Sequence, residues 1–363
     1  MSKLVFFPSD PIKAYLEKGR TYQFLDEYYN PGGFFDEVIC LSPWGDENDE
    51  TISKIRYLKA SPEQYCRIVK ELKPDVVRGY GGYHGADWVS GIRIKGIPTL
   101  VSVHDTNPEL IHTTLNQADG IICMSQAVKT AVQELVPNVT KNIWVMPNRI
   151  DTDLYHKSID IDKTKELDKR FPGRMHILHV GRKTKQKNLD TVIKAMKYLD
   201  EDVVTIFVGQ GDTSEYRILA ENEGVLKRCY FVDRVKSEEL PYWYSWCDCM
   251  CTPSRWEGFG YVFIEAAACE AAIVTSNIGP MNEYLENDVN AILVDDYENP
   301  EEIAKAIDRC ISQNESILSI KENARSVGLC FSKEKVDQQE IAIYKEMISR
   351  YKGGFIKRLF TRV

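Results

Sequence analysis

The sequence predicts an α/β protein made of two doubly wound domains, each built on a parallel sheet. Short β-branched runs alternate with helical patterns along the chain, which is typical of parallel sheets with crossover helices. The series occurs twice, and the charged, strand-poor stretch 151–169 separates the two halves as a hinge region. A length of 363 residues is long for one core and accommodates two domains.

The predicted strands follow in the same rhythm in both halves. In the first half they are KLVFFPS, DEVICLS, DVVRGYG, TLVSVHD, GIICMS and IWVMPN, with helical segments such as PEQYCRIVKELK and QAVKTAVQEL. In the second half they are HILHVG, VVTIFVG, CYFVDRV, CMCTPS, AIVTS and AILVD. We expect a first domain at 1–155 and a second at 170–335. Ligands should bind in loops beyond the carboxyl ends of these strands.

Composition narrows the class of protein. A net charge of −8 argues against a nucleic-acid binder that works by phosphate neutralisation. The ten cysteines are scattered, and the Cys249–Cys251 pair lacks the second half of a zinc site, so we expect buried thiols in a reducing compartment and no structural metal. The start, MSKLVFFPSDP, lacks the apolar core of a signal peptide. No run approaches the roughly 18 apolar residues of a membrane span, and we expect a cytoplasmic protein.

The stretch HVGRKTKQKNLD is a candidate anion site. A strand ends at Gly181, and the cations Arg182, Lys183, Lys185 and Lys187 follow before a helix begins. Cations in a strand-to-helix turn, together with the amino terminus of a helix, suit a diphosphate. The alternative is a solvated basic loop, which is common.

The stretch SRWEGFGYVFIEAAACE is a second candidate. Glu257 lies in the loop after a strand and Glu265 on the helix that follows, with Gly258, Phe259 and Gly260 between them. Glycines let a ligand approach the backbone amides closely, and helix-start amides favour phosphate. Carboxylates accept hydrogen bonds from hydroxyls. One crevice would then hold sugar, phosphate and ribose in series, unless these are two surface glutamates around a turn.

These motifs together resemble the retaining family-4 glycosyltransferases of GT-B fold. The resemblance rests on EGFGYVFIE, preceded by PS and followed by AAAC, and on five further motifs: LVSVHD, ADGIICMSQAVK, MPNRIDTDLY, VGRKTKQKNLD and NEYLENDVNAILV. The motifs occur along the chain in the order that is usual for the family. It covers most of the chain. It implies two Rossmann-like domains that face each other across a cleft, with a final helix at 336–363 packing back on the first domain.

The resemblance also implies roles for individual residues on the donor side. Glu265 would bind the ribose hydroxyls and Glu257 the hydroxyls of the donor sugar. The amides at Phe259 and Gly260 would face sugar and phosphate. The backbone at Val235, in FVDRVKSEEL, would face the base.

Further residues would act on the diphosphate and the sugar. Arg182 and Lys187 would hold the diphosphate and stabilise it as the leaving group, in place of a metal. His104 would lie across the cleft near the sugar, unless it is a satisfied core histidine. Gly19, in KGRTYQ, would belong to the glycine loop under the phosphate.

The implied activity is a metal-independent, retaining hexosyl transfer with no cofactor. The donor is a UDP- or GDP-sugar, and the acceptor is a glycan, a lipid-linked molecule or a small molecule. Asp151-Thr152-Asp153 is a D-x-D, but it follows MPNRI and does not lie in a cleft-facing loop. The alternatives are a nucleotide-sugar epimerase or hydrolase of GT-B fold and a non-catalytic nucleotide-sugar binding protein.

The chain departs from the family pattern at Arg149, Glu270, Ala272 and Ala291, where glycine or proline is usual. None of these positions carries a proposed ligand. The basic tail SRYKGGFIKRLFTRV also contains apolar residues, so it is a candidate for peripheral contact with an anionic membrane surface. The alternative is a helix that packs entirely on the first domain.

Overall fold

The computed structural model describes residues 2–17, 19–44, 49–139, 142–312 and 314–360, with side chains up to residue 351. The chain divides into two compact units. The first contains residues 1–147 and 334–363, and the second contains residues 148–333. Each unit has its own parallel sheet and its own apolar core.

The first unit is built on a sheet of eight described strands in the order β3-β4-β2-β1-β5-β6-β7-β8. These are β1 Lys3–Phe7, β2 Glu37–Ser42, β3 Glu50–Ile52, β4 Ile55–Lys59, β5 Val76–Tyr80, β6 Thr99–Val103, β7 Gly120–Cys123 and β8 Ile143–Val145. All neighbouring pairs are parallel except β3 with β4. The helices are α1 Ile12–Glu17, α2 Tyr22–Tyr29, α3 Pro62–Leu72, α4 Ala86–Ser90 and α5 Gln126–Leu135.

The second unit carries a six-stranded sheet in the order β11-β10-β9-β12-β13-β14, parallel throughout. Its strands are β9 Met175–Val180, β10 Val203–Val208, β11 Cys229–Val232, β12 Cys249–Cys251, β13 Ile273–Ser276 and β14 Ile292–Val294. Its helices are α6 Ile161–Arg170, α7 Leu189–Ala195, α8 Ser214–Asn222, α9 Leu240–Trp246, α10 Tyr261–Ala268, α11 Pro300–Ile311 and α12 Glu315–Cys330.

The central strands are buried along nearly their whole length, and mostly apolar, because helices cover both faces of a parallel sheet. Val204, Ile206 and Phe207 of β10 are buried together with their neighbours on β9 and β12. The strand order reverses beside β1 in the first unit and beside β9 in the second. The predicted α/β architecture of two doubly wound parallel sheets is therefore confirmed.

Helix starts follow local capping chemistry. Ser61 and Gln64 form a capping box at α3, and Ser125 Oγ accepts from Val128 N at 3.1 Å at α5. At α11, Asn299 caps the helix and a proline occupies the first helical position. These side chains pair backbone N–H groups that have no partner within the helix.

The last helix, α13 Lys333–Phe360, packs on the first sheet through a buried arginine. Arg78 of β5 is 2% exposed and donates to Ser102 Oγ at 2.8 and 3.0 Å. It also pairs with Glu340 and contacts Tyr344, both on α13. Because a buried charge without a partner is costly, this pairing fixes α13 against the sheet.

Among the described residues, none of the helices is both long enough and apolar enough to cross a membrane. The side chains of residues 352–360 and all of residues 361–363 lie outside what the structure describes. Membrane contact through the basic tail therefore stays a prediction. All cysteines except Cys66 and Cys330 are buried thiols.

Candidate functional site

Two loops meet at the carboxyl edge of the second sheet. One follows β9 and the other follows β12, and these strands are neighbours at the point where the strand order reverses. Arg255 N donates to Gln186 O at 2.8 Å, and Gln186 Nε2 donates to Trp256 O at 2.8 Å. Ligands of doubly wound sheets bind at such a switch point, so the two predicted anion sites belong to one region of the fold.

Lys187 and Glu257 form an ion pair with each other at the base of these loops. Each residue is less than a tenth exposed, and Ser254 Oγ donates to Glu257 Oε1 at 2.7 Å. Gly181 has φ 157°, and a Cβ there would lie 3.0 Å from the Lys187 side chain. The glycine therefore lets the lysine stem run against the backbone towards the carboxylate.

His179, on the strand that precedes this loop, forms a hydrogen bond with it. It is fully buried on β9, and its Nε2 lies 2.8 Å from Lys187 O. A carbonyl oxygen only accepts, so Nε2 carries the proton, and Nδ1 has no hydrogen-bond partner among the described residues. Burial is the main cause that lowers the pKa of His179 to about 4, so the ring is neutral at pH 7.

Arg255 joins three segments around the loop after β9. It donates to both carboxylate oxygens of Asp190, at 2.9 Å each, and to both of Glu298, at 2.6 and 2.9 Å. It also donates to Lys185 O at 2.7 Å. Its hydrogen bonds to Glu298 and then to Asp190 raise the pKa of Arg255 further above its ordinary value. Such paired, fork-shaped contacts fix the loop in one geometry.

The start of α10 supplies the predicted amide site. Gly258, Phe259 and Gly260 are buried, and Gly260 has φ 87° at the helix cap. A Cβ at Gly260 would lie 2.6 Å from the Phe263 ring, so glycine is required there. Tyr284 Oη donates to Phe259 O at 2.7 Å. The amino-terminal end of the helix carries partial positive charge and suits an anion.

Glu265 lies on α10 and is 8% exposed. Its Oε2 accepts a hydrogen bond of 3.0 Å from the fully buried Tyr244 of α9. Burial, and then the charge of Glu265, raise the pKa of Tyr244 well above its ordinary value, so the phenol stays a donor. The carboxylate is thus oriented by a neighbour on a second helix.

The other predicted donor-side residues lie near the same edge. Arg182 is exposed and donates to Gln186 Oε1 at 3.3 Å. Val235 is half-buried in the loop between β11 and α9. Among the described residues there is no cluster of three His, Cys, Asp or Glu side chains that could hold a metal ion. The structure thus brings Lys187 and Glu257 into contact and leaves Arg182 open to solvent.

Two predicted residues belong to the first unit. His104 directly follows β6, and its Nε2 is buried without a partner in the described part of the chain. Burial, and then the charge of Arg78, lower the pKa of His104 to about 4. Gly19 lies in the turn between α1 and α2 with φ 77°, and its N–H donates to Leu16 O.

Beside the loop after β9 lies a cavity of about 430 Å³ at the carboxyl ends of β10 and β11. It is lined by Lys183, Gln210, Gly211, Thr213, Arg217, Phe231, Val232 and Asp233. Lys183 Nζ donates to Val232 O at 2.8 Å and to Gly209 O, and burial lowers the pKa of its ammonium group. The Arg217 guanidinium lies 4.9 Å from the centre of the Phe231 ring. This cavity continues the site towards the outer strands.

The sequence interpretation missed Arg255 and the turn Gly209-Gln210-Gly211. It grouped Lys183 with the cations of the anion site, whereas in the structure this lysine donates to the carbonyls of Gly209 and Val232. That turn had a signal, because two glycines follow directly after a predicted strand. A Cβ at Gly209 would lie 2.0 Å from Gly181 O, so the two strand-end loops touch through their backbones. Arg255 gave no comparable signal, since its partners are remote in the chain.

Comparison with known proteins agrees with this architecture. The family model for glycosyl transferases group 1 matches residues 160–327, and the model for glycosyltransferase family 4 matches residues 35–154. An uncharacterised glycosyltransferase of Methanocaldococcus jannaschii is 26% identical over 303 residues, 75% of this chain and 77% of that protein. D-inositol 3-phosphate glycosyltransferase 1 of Catenulispora acidiphila is 24% identical over 347 residues, 82% of each.

The solved structure of Anabaena HepE in complex with UDP has a TM-score of 0.76 at 19% identity, covering 95% of this chain and 100% of that one. Fold and sequence matches together define a glycosyltransferase with two Rossmann-like domains, the GT-B fold. Within that class the chain belongs to glycosyltransferase family 4, because the two family models together match most of its length. The predicted family and enzyme class are confirmed.

Proposed function

We propose that the protein transfers a sugar from a UDP- or GDP-sugar to a glycan, lipid-linked or small-molecule acceptor, with retention of configuration and without a metal ion. The observation that carries the proposal is the joining of the loops after β9 and β12. It gathers Arg182, the Lys187–Glu257 pair and the start of α10 at one edge. Cations and helix amides would stabilise the departing diphosphate, and carboxylates would accept sugar and ribose hydroxyls.

The likeness of this fold to a structure solved with UDP also supports a nucleotide-sugar donor. Anabaena HepE, whose structure was solved with UDP, has the same architecture over nearly all of this chain. In the present protein the cavity beside Lys183 offers space for a base next to the diphosphate loop. Arg182 is exposed and would bind the diphosphate directly.

The metal-free route follows from the charges that the site already holds. Metal ions act in such reactions by neutralising charge on the leaving group. Here Arg182, Lys187 and the positive end of α10 would supply that charge. Glu257 accepts from Lys187 and Ser254, so it would enter the reaction as a hydrogen-bonding group for the sugar rather than as a nucleophile.

Release of nucleoside diphosphate tests this function. The purified chain is incubated with UDP-glucose, UDP-N-acetylglucosamine, GDP-mannose or GDP-glucose, with and without excess EDTA. We expect slow hydrolysis of one donor at the same rate in both conditions. Arg182→Ala should lower that rate by about 100- to 1000-fold, since a contact to the developing charge contributes roughly 2.7–4 kcal/mol.

The matched control for this variant is Lys227→Ala, which removes an exposed cation at the amino end of β11, whereas the two loops lie at the carboxyl edge of the sheet. Its rate should equal that of the wild type. Loss of activity in EDTA with recovery in Mn²⁺ would overturn the metal-free part of the proposal. An Arg182→Ala rate equal to the wild type would overturn the diphosphate site.

A further inference from the structure

The carboxyl edge of the first sheet carries a group of aromatic rings that the donor site does not use. We call Trp44, Tyr83, His84 and Trp88 the aromatic platform. Ring centres are 4.7 Å apart for Tyr83 and His84, 5.5 Å for His84 and Trp88, and 5.6 Å for Trp44 and His84. Trp44 is 36% exposed and His84 is also exposed. Trp44 meets His84 edge to face, at an interplanar angle of 75°, and Tyr83 and Trp88 are half-buried beside them. Two aromatic rings are therefore open to a ligand at this edge.

The platform lies where a ligand of this fold is expected. Strands β2, β1, β5 and β6 are adjacent in the sheet, and the order reverses between β1 and β5. Trp44 follows β2, Asp10 follows β1, Tyr83 follows β5 and Asp105 follows β6. Each strand next to the switch point therefore contributes a side chain to the same edge.

Close backbone contacts hold the platform in place. Residues 81–85 form one π-helical turn directly after β5. A Cβ at Gly82 would lie 2.7 Å from Leu110 O, and one at Gly85 would lie 2.4 Å from Tyr80 O. Trp88 packs against the core at Phe7, with ring centres 6.1 Å apart. Because larger residues do not fit at these glycines, the turn is fixed by packing and the rings above it are preorganised.

The polar groups near the platform are the carboxylates of Asp10 and Asp105 and the His112 imidazole, which pairs with Asp87 and whose ring centre lies 6.5 Å from that of Tyr83. Asp10 and Asp105 follow β1 and β6, at the same edge as Tyr83. Burial raises the pKa of Tyr83, and the charges of both carboxylates raise it further. Asp10 Oδ2 accepts from Ser9 Oγ at 3.1 Å, and Asp105 Oδ1 accepts from Asn107 N at 2.9 Å. A carboxylate has about four lone-pair positions, so each keeps capacity for a further donor.

We propose that the aromatic platform binds a sugar ring of the acceptor, and that the acceptor is an uncharged glycan. An aromatic face is negative and attracts the partly positive C–H groups of a pyranose ring. The hydroxyls at the ring edge are the donors that carboxylates accept. The inference rests on the proposed function, because it assigns the second substrate of the same transfer.

The charges argue against other acceptor chemistries. Two carboxylates beside the rings would repel a phosphate or a uronic acid. Against a purely apolar chain, the carboxylates would lose water of hydration and gain no hydrogen bond in return. A neutral, hydroxyl-rich ring is the ligand that satisfies both the aromatic and the acidic groups.

Saturation-transfer NMR on the full chain tests this directly. The probes are the methyl glycosides of glucose, galactose, mannose and N-acetylglucosamine, with methyl glucuronide as the charged counterpart, at millimolar concentration. We expect transfer to ring protons of at least one neutral glycoside. The signal should fall at least fivefold in Trp44→Ala and in Tyr83→Ala, and Trp44→Phe should restore most of it.

The matched control is Tyr198→Ala, which removes an aromatic ring that is 46% exposed in the other unit. Its signals should equal those of the wild type. The proposal is wrong if no neutral glycoside receives saturation, if Trp44→Ala keeps the full signal, or if the glucuronide is preferred. Calorimetry of the wild type with UDP and GDP distinguishes failure of the proposed function from failure of the acceptor site. If neither nucleotide binds, the donor function is contradicted, and the glycoside result still stands.

Discussion

Glu265 shows how a single side chain connects packing with recognition. The Tyr244 hydroxyl holds one carboxylate oxygen, which fixes the other relative to the start of α10. Replacing the side chain with alanine would leave the buried phenol unpaired, at a cost of about 1–3 kcal/mol in stability. Glutamine keeps an acceptor for Tyr244 and removes only the charge, so it separates the two effects.

We predict that Glu265→Gln weakens binding of the preferred nucleoside diphosphate by tenfold or more. A hydrogen bond to a charged group contributes roughly 1.5–3 kcal/mol, and the ribose would lose one. Titration calorimetry with UDP and GDP measures the change, with Glu221→Gln on the exposed face of α8 as control. An affinity equal to the wild type would remove the ribose role from this residue.

His179 makes the stability of the second unit depend on pH. Its pKa is about 4 in the folded chain and 6.5 in an ordinary environment. Between these values the unfolded chain binds a proton that the folded chain does not, so stability falls as pH falls from 6.5 towards 4. At full extent the difference corresponds to about 3 kcal/mol.

We predict that His179→Gln flattens this part of the curve of unfolding free energy against pH. Urea unfolding followed by circular dichroism between pH 4.5 and 7.5 measures the slope. His156→Gln, at an exposed position, is the matched control. An unchanged slope in His179→Gln would mean that the pH dependence comes from other groups, such as His104, whose pKa burial also lowers to about 4.

At the scale of elements, Arg255 determines how the loop after β9 sits on its neighbours. Burial alone would raise the pKa of Asp190, but hydrogen bonds and charge from Arg255 outweigh it and hold the pKa below its usual range. Asp190 lies in the first turn of α7, and Glu298 lies between β14 and α11. One guanidinium therefore couples the loop to α7 and to the segment that precedes α11.

We predict that Arg255→Lys lowers the free energy of unfolding by about 1–3 kcal/mol and slows donor hydrolysis. A lysine cannot reproduce the fork of donors that two carboxylates and a carbonyl accept here. Chemical denaturation and initial rates measure both effects. Lys197→Ala breaks the exposed pair with Glu223 and should cost no more than about 1 kcal/mol. Equal losses in both variants would contradict a special role for Arg255.

The strands were predictable because a parallel sheet requires continuous apolar runs. All runs quoted from the sequence are strands in the structure. The antiparallel pair β3 and β4 was missed, since β3 has only three residues and an exposed, polar edge. Only Ile55 and Tyr57 of β4 are buried, and two alternating apolar residues are a weak strand signal.

The site was predictable where glycines and charges follow a strand directly. That rule found Lys187 and Glu257, although it could not show that they pair with each other across 70 positions. It gave no role to Arg255, because the carboxylate partners of this residue lie 65 and 43 positions away. Such contacts depend on which strands become neighbours, and the strand order is a property of the folded sheet.

At the scale of the whole molecule, each of the two doubly wound sheets has functional groups at its carboxyl edge. The edge of the second sheet carries cations and backbone amides, and the edge of the first carries aromatic rings and carboxylates. Retention of configuration needs either a covalent sugar intermediate or attack from the face that the diphosphate leaves. The first route requires a free carboxylate behind the anomeric carbon. Glu257, the candidate on the donor side, is engaged by Lys187 and Ser254.

We therefore predict same-face transfer, in which the leaving phosphate oxygen takes the acceptor proton and no enzyme side chain is glycosylated. The product should keep the anomeric configuration of the donor, which ¹H NMR of the purified product reports through the anomeric coupling constant. A 2-deoxy-2-fluoro donor followed by peptide mass spectrometry tests for a trapped ester. Inversion in the product would exclude this mechanism altogether. An ester on Glu257 would exclude same-face attack while leaving retention intact, because two successive inversions at the anomeric carbon also restore the original configuration.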